Sequence, residues 1–231
     1  MTVLVKRRLT VCIAALPLLA MCTAACAALT AASVERIIRG RIAEKWTTKD
    51  LKVRVVPYTS AARTRKGQFA QIKISAASAV RKGKHIKVVG LAITAKGVQI
   101  DTRKLAKNDF DILSRKSGTL RAKFYEADIN KLLARKKSSI DGLRADFGDG
   151  VITFMGKYGL NIKLTGTIDI KKGYELHFRP TRASIGILGV PLGLVNKFLA
   201  KLNPIIDMRE VPLKPKLKSL KITPKYISVS G

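Results

Sequence analysis

The chain has 231 residues, of which 45 are Lys or Arg and 15 are Asp or Glu, for a formal net charge of +30. So large an excess points to a polyanionic partner or surface. Only 6% of residues are aromatic and no stacking-platform pattern appears, so nucleic acid is set aside as that partner.

The N-terminus reads as an export segment, residues 1–32. A basic cluster, Lys6-Arg7-Arg8, precedes an uncharged run from Leu9 to Ser33 broken by Pro17. Positive residues, then an apolar stretch, then small residues near a cut site is the order of a signal peptide. Ala25-Cys26-Ala27 and Thr30-Ala31-Ala32 both suit a cleavage site. The run is also long enough to stay as a membrane anchor. A third fate is lipidation at Cys22 or Cys26, although neither flanking sequence is a clean lipobox. All three cysteines lie in this segment, so residues 33–231 hold no disulfide and no thiolate metal site. The expected location is the periplasm or cell envelope, where anionic phospholipid or acidic envelope polymer supplies the negative charge.

Residues 33–231 read as one domain. Ser33 is the expected N-cap of a helix to Trp46, with Val34, Ile37, Ile38 and Ile42 at helical spacing. Leu51 to Val55 alternates as a half-buried strand does. Thr59 to Gly67 is a basic loop. Strands follow at Phe69–Ile74 and, past a turn at Arg81-Lys82-Gly83, at Ile86–Ile100. Leu105 to Leu113 is expected to be a short helix, Thr119 to Tyr125 a strand, and Glu126 to Leu133 a helix. Four further strands are expected at Gly142–Phe147, Val151–Met155, Leu160–Ile170 and Tyr174–Ile187.

Val190 to Leu202 reads as a helix with Leu192, Val195, Phe198, Leu199 and Leu202 on one stripe. Pro191 suits its first turn, and Asn203 before Pro204 is its expected stop. Strands at Leu217–Ile222 and Tyr226–Val229 close the chain. The pattern is α+β, with long antiparallel strands and a few helices. A weak repeat at an offset of 90 residues matches Gln71-Ile72-Lys73-Ile74 to Asn161-Ile162-Lys163-Leu164. It also matches Val80-Arg81-Lys82-Gly83 to Ile170-Lys171-Lys172-Gly173. Two long amphipathic hairpins would look alike to this degree without duplication.

Catalytic signatures are missing. There is no G-x-S-x-G, H-E-x-x-H or P-loop, and the two histidines, His85 and His177, sit at positions expected to face solvent. Asp101, Asp109 and Asp111 cluster, as do Asp141, Asp146 and Asp149, without the spacing of a calcium loop. A lipid or glycan hydrolase using Asp101 or Asp149 is the weakest reading. The expectation is a protein that is not an enzyme, with no cofactor and no metal.

Several stretches together resemble the LmeA-like family of exported bacterial phospholipid-binding proteins, formerly a domain of unknown function. They are Ser33 to Trp46 with the strand at Leu51, and Arg65-Lys66-Gly67-Gln68-Phe69 leading to Gly97-Val98-Gln99-Ile100-Asp101. Phe124 to Leu133 and the closing segment from Gly189 to Gly231 complete the likeness. It implies a tubular lipid-binding-like fold, in which a long curved antiparallel sheet wraps one or more amphipathic helices around an apolar groove. On that reading Leu194, Val195, Phe198 and Leu202 face lipid. Arg63, Arg65, Lys66, Arg81, Lys82, Lys84, Lys171 and Lys172 are the headgroup candidates, drawn from basic loops and turns. The rival reading is a non-catalytic envelope adaptor or structural protein that binds acidic polymer or protein. The oligomeric state is left open.

Overall fold

The computed structural model describes residues 29–83, 86–135, 140–191, 193, 199–200 and 202–231. The first helix, α1 (Ala31–Lys45), starts earlier than its periodicity suggests. Thr30 is the N-cap: its hydroxyl accepts from the Ser33 amide, and the Ser33 hydroxyl accepts from the Thr30 amide. Ser33 is therefore the third residue of a capping box. Val34, Ile38 and Ile42 form the buried stripe.

A flank of α1 closes the edge of a sheet. Strands β1 (Trp46–Lys49) and β2 (Lys52–Pro57) form one edge, interrupted at Asp50, whose φ is 56°. Glu35 accepts from the Val55 amide at 2.7 Å, and Arg39 donates to the carbonyls of Leu51 and Val53. These backbone groups have no strand beyond them, and the helix supplies their partners.

The basic loop expected at Thr59–Gly67 contains a five-residue helix, α2 (Ala61–Arg65). Then come β3 (Gln68–Arg81) and β4 (Lys87–Ile100), paired along their whole length. The helix expected at Leu105–Leu113 is displaced. Asp101 caps α3 (Thr102–Ala106), accepting from the amides of Arg103 and Lys104. Asn108, at φ 54°, turns the chain out of it, and β5 (Ile112–Tyr125) begins within the expected helix. Tyr226–Ser230 (β13) pairs with β5, and Ser219–Ile222 (β12) pairs with β13. The larger sheet runs in the order β1/β2–β3–β4–β5–β13–β12. The β4–β5 register shifts between Val89 and Ala92, next to Gly90 at φ 61°, which bends the sheet.

Helix α4 (Glu126–Arg135) joins the two sheets, burying Ile129 and Leu133. The smaller sheet holds β6 (Asp141–Phe147), β7 (Ile152–Tyr158), β8 (Leu160–Lys171) and β9 (Glu175–Ile185). Two-residue pieces, β10 (Leu188–Gly189) and β11 (Ile206–Asp207), line the outer side of β9. Glu126 accepts from the Phe147 amide, and Asn130 bonds both backbone groups of Ala145, so α4 closes the β6 edge as α1 closes β2. Both sheets are antiparallel, curved and open, which makes the fold α+β as expected.

One core runs through the molecule, from Phe69, Ile72 and Phe124 in the larger sheet to Phe154, Leu164 and Leu176 in the smaller. The two hairpins matched by the repeat differ in register. Val80 faces Lys87 in one, while Ile170 faces Leu176 in the other, one residue out of step with the sequence match.

Candidate functional site

Of the residues expected to face lipid, Leu194, Val195 and Phe198 lie outside the described residues, as do Lys84 and residues 1–28. Leu202 is helical and buried in the core. Just beyond it, the Asn203 amide accepts from the Phe178 N–H at 2.8 Å and donates to the Phe178 carbonyl at 2.9 Å.

The headgroup candidates do not form one cluster. Arg63, Arg65 and Lys66 are at one end of the 14-residue β3, and Arg81 and Lys82 are at the other. About 45 Å of extended strand separates them. Arg63 stacks on Tyr58 at 4.8 Å. Arg81 donates to the Lys45 carbonyl, lies over Trp46 and sits 3.8 Å from Glu210. Lys82 donates to the Ala43 carbonyl at 2.6 Å. Arg81 and Lys82 thus bind the C-terminal carbonyls of α1, where cations suit the helix dipole. Lys172 pairs with Glu175, and Lys171 is exposed.

A cleft of about 490 Å³ opens between α1, the segment 109–115, Tyr174 and the strap 213–214. A second cleft of about 160 Å³ adjoins it and shares Arg41, Lys45, Phe110 and Leu213. Together they fall within the size range of small-molecule sites. Ile38, Ile42, Trp46, Ile74 and Val211 give the inner part an apolar lining, and Phe110, Ile112 and Leu213 continue it outward. Arg41 and Lys45 follow one another at i and i+4 along α1, beside the buried stripe, so both reach the rim.

The strap is held in a costly conformation. Leu213 and Lys214 both have left-handed φ, 64° and 43°, each a disfavoured state for a residue with a Cβ. Arg115 donates to both of their carbonyls, at 2.5 and 3.1 Å, and fixes the turn over the cleft.

The rim is cationic. Arg41 bonds Asp109 at 2.6 Å and Glu44 at 2.7 Å, and Lys104 bonds Asp111 at 2.6 Å. The Asp109 carboxyl is held below its ordinary range, first by the Phe110 amide and then by Arg41. Lys104 does the same for Asp111. Lys45 and Lys214 are exposed on the rim and form no salt bridge among the described residues, although the Lys214 charge also helps to lower the Asp111 carboxyl. An anion entering here meets two ammonium groups that lie outside the rim's salt bridges.

Sequence reasoning named Asp109 and Asp111 but did not join them to Arg41, Lys45, Phe110, Arg115, Tyr174 and Lys214. The one local signal was Arg41-x-x-x-Lys45 along the edge of the Ile38–Ile42 stripe. His177 lies on the face of β9 opposite the buried Leu176 and Phe178 and is partly exposed; its Nε2 is 2.9 Å from Glu175, a carboxylate only 5% exposed that also receives Arg209 at 2.8 Å, while His85 lies outside the described residues. The described residues contain no cluster of three or more His, Cys, Asp or Glu side chains able to hold a metal. No described helix is long and apolar enough to cross a membrane.

An α+β chain of two open antiparallel sheets, with helices along their edges and a cleft of mixed polar and apolar lining with a cationic rim, is built like a lipid-binding protein. Residues 26–231 match the family model described as LmeA-like phospholipid-binding, and the chain belongs to that family. No curated protein and no solved structure matches it.

Proposed function

We propose that the chain is an exported, envelope-associated protein that takes a phospholipid into the cleft beside α1 and serves in lipid transport or envelope maintenance. The observation that carries this reading is the cleft itself, with an apolar inner part and two lysines outside the salt bridges at its mouth. Acyl chain packs against Ile38, Ile42, Phe110 and Leu213. The phosphate sits between Lys45 and Lys214, and anionic lipid is preferred because the rim carries more cations than carboxylates. No covalent step is involved. Family membership supports the lipid class, and the basic, then apolar N-terminus supports export to the periplasm or cell envelope.

Trp46 is the only tryptophan of the chain, and it lines the inner cleft. Short-chain phosphatidylglycerol with brominated acyl chains, added as monomers, is expected to quench its emission, while the unbrominated lipid leaves it bright. Equal emission with both lipids at saturating concentration overturns the proposal.

A further inference from the structure

The positive charge is distributed unequally between the two sheets. The chain has 15 carboxylates, yet no strand of the larger sheet contains Asp or Glu. The strands of the smaller sheet hold Asp141, Asp146, Asp169, Glu175 and Asp207 among their cations.

The register shows where the charges of the larger sheet point. Val53, Ile74, Ile93 and Leu120 form a buried row across four strands, so their neighbours face outward. One outward row runs Lys52, Ser75, Ala92, Arg121, Ser230, Ser219, from one edge of the sheet to the other. The next holds Arg54, Lys73, Thr94 and Thr119. Lys123 and Lys221 flank Ser228 on the far strands, and Lys96 lies beside Gln71. All seven cations are exposed, and none has a carboxylate partner among the described residues. Between them are Ser, Thr, Ala and Gln, with no large exposed apolar side chain.

Arg54 stands directly opposite Lys73. A like-charged pair in that position destabilises a sheet, and nothing on this face offsets it. Folding alone gives no reason for the arrangement, whereas an external anion does. The cations span six strand positions, about 24 Å of sheet width. A linear polyanion would call for cations in file, but these spread over a surface, as phosphates do in a bilayer. Near the far edge a depression of about 500 Å³ is lined by Gly90, Arg121, Lys123, Ser219, Lys221 and Ser228. A Cβ on Gly90 would point into open space, so the missing side chain leaves room there.

We propose that the outer face of the larger sheet docks on an anionic phospholipid bilayer, seating headgroup phosphate in the depression at Gly90. The contact is electrostatic and does not insert. It is separate from the cleft, and vesicle binding reads it independently of Trp46 quenching.

The test is co-sedimentation of the full chain with phosphatidylcholine vesicles, alone or mixed equally with phosphatidylglycerol, across a salt series. Binding is expected only to the mixed vesicles, and to weaken steeply as the Debye length shrinks from about 10 Å at 0.1 M to about 3 Å at 1 M. At about fivefold per cation near the surface, the doubles Arg54→Gln/Lys73→Gln and Arg121→Gln/Lys123→Gln should each weaken partitioning roughly 25-fold. The control changes Arg144 and Lys163 to Gln, exposed cations of the smaller sheet, and should leave it near wild type. Equal losses in all three doubles would mean that net charge alone is sensed, and would overturn the proposal. So would binding to soluble polyphosphate without binding to mixed vesicles.

Discussion

Replacing Asn203 by Ala tests how the smaller sheet ends. Pro204 follows Asn203 and has no N–H, so the main chain cannot donate to β9 at this point. The Asn203 side chain does the work of a strand there, bonding both the N–H and the C=O of Phe178. Phe178 is 2% exposed and its ring packs edge-on against Phe154 at 4.7 Å, so little water reaches those groups. Each buried group left without a partner costs about 1–3 kcal/mol, or about 4 kcal/mol for both. For a domain of this size each kcal/mol lowers Tm by about 2–4 °C, so a drop of roughly 12 °C is expected. Asn203→Asp keeps the acceptor, loses the donor and sets a carboxylate against the Phe178 carbonyl, so it should lower Tm at least as far. Thermal melts followed by far-UV circular dichroism measure both. A drop below about 2 °C for Asn203→Ala would refute the reasoning, because the two bonds would then contribute nothing.

The Glu175 carboxyl is held below its ordinary value of 4.5, first by its hydrogen bond with His177 and further by Lys172 and Arg209. A depressed carboxyl stabilises fully above its unfolded value and loses that contribution as pH falls through the folded one. Tm should therefore fall below about pH 4.5, and Glu175→Gln should flatten that limb. An identical acid limb in the variant would exclude the cluster as its source. The capping box makes Thr30 part of the folded domain, so cleavage after Ala32 would cut inside α1. Expressed in a secreting host and recovered from outside the cytoplasm, the chain should show by intact mass an N-terminus before Thr30, and a start at Ser33 would contradict this.

Local pattern carried most of the fold. α4 and the four long strands of the smaller sheet fall within a few residues of their expected bounds, because each alternates or repeats with a clear period. The misplaced helix at Leu105–Leu113 shows the limit. Its apolar residues fit a helical period, but Asp101 starts the turn early and left-handed Asn108 ends it, and neither is a matter of hydrophobicity. The cleft was hidden for a different reason. Arg41 and Lys214 are far apart in sequence and meet only because the strap folds back over α1, held by an arginine on β5. Composition announced the positive charge, but only strand register shows that one face is free of acid.

The guarded edges bear on how such a chain avoids sticking to itself. Open sheets offer rows of backbone donors and acceptors to any extended strand that drifts past. Here Glu35 and Arg39 occupy that row on β2, Glu126 and Asn130 on β6, and Asn203 on β9. Where β9 continues past Asn203, Pro180 offers no donor, and Arg179 and Arg182 add charge. Each guard is a polar side chain, and its loss exposes a pairing template without emptying the core. Substitutions at these positions should promote aggregation more strongly than their cost in stability suggests, in a protein whose open sheets would otherwise invite fibres.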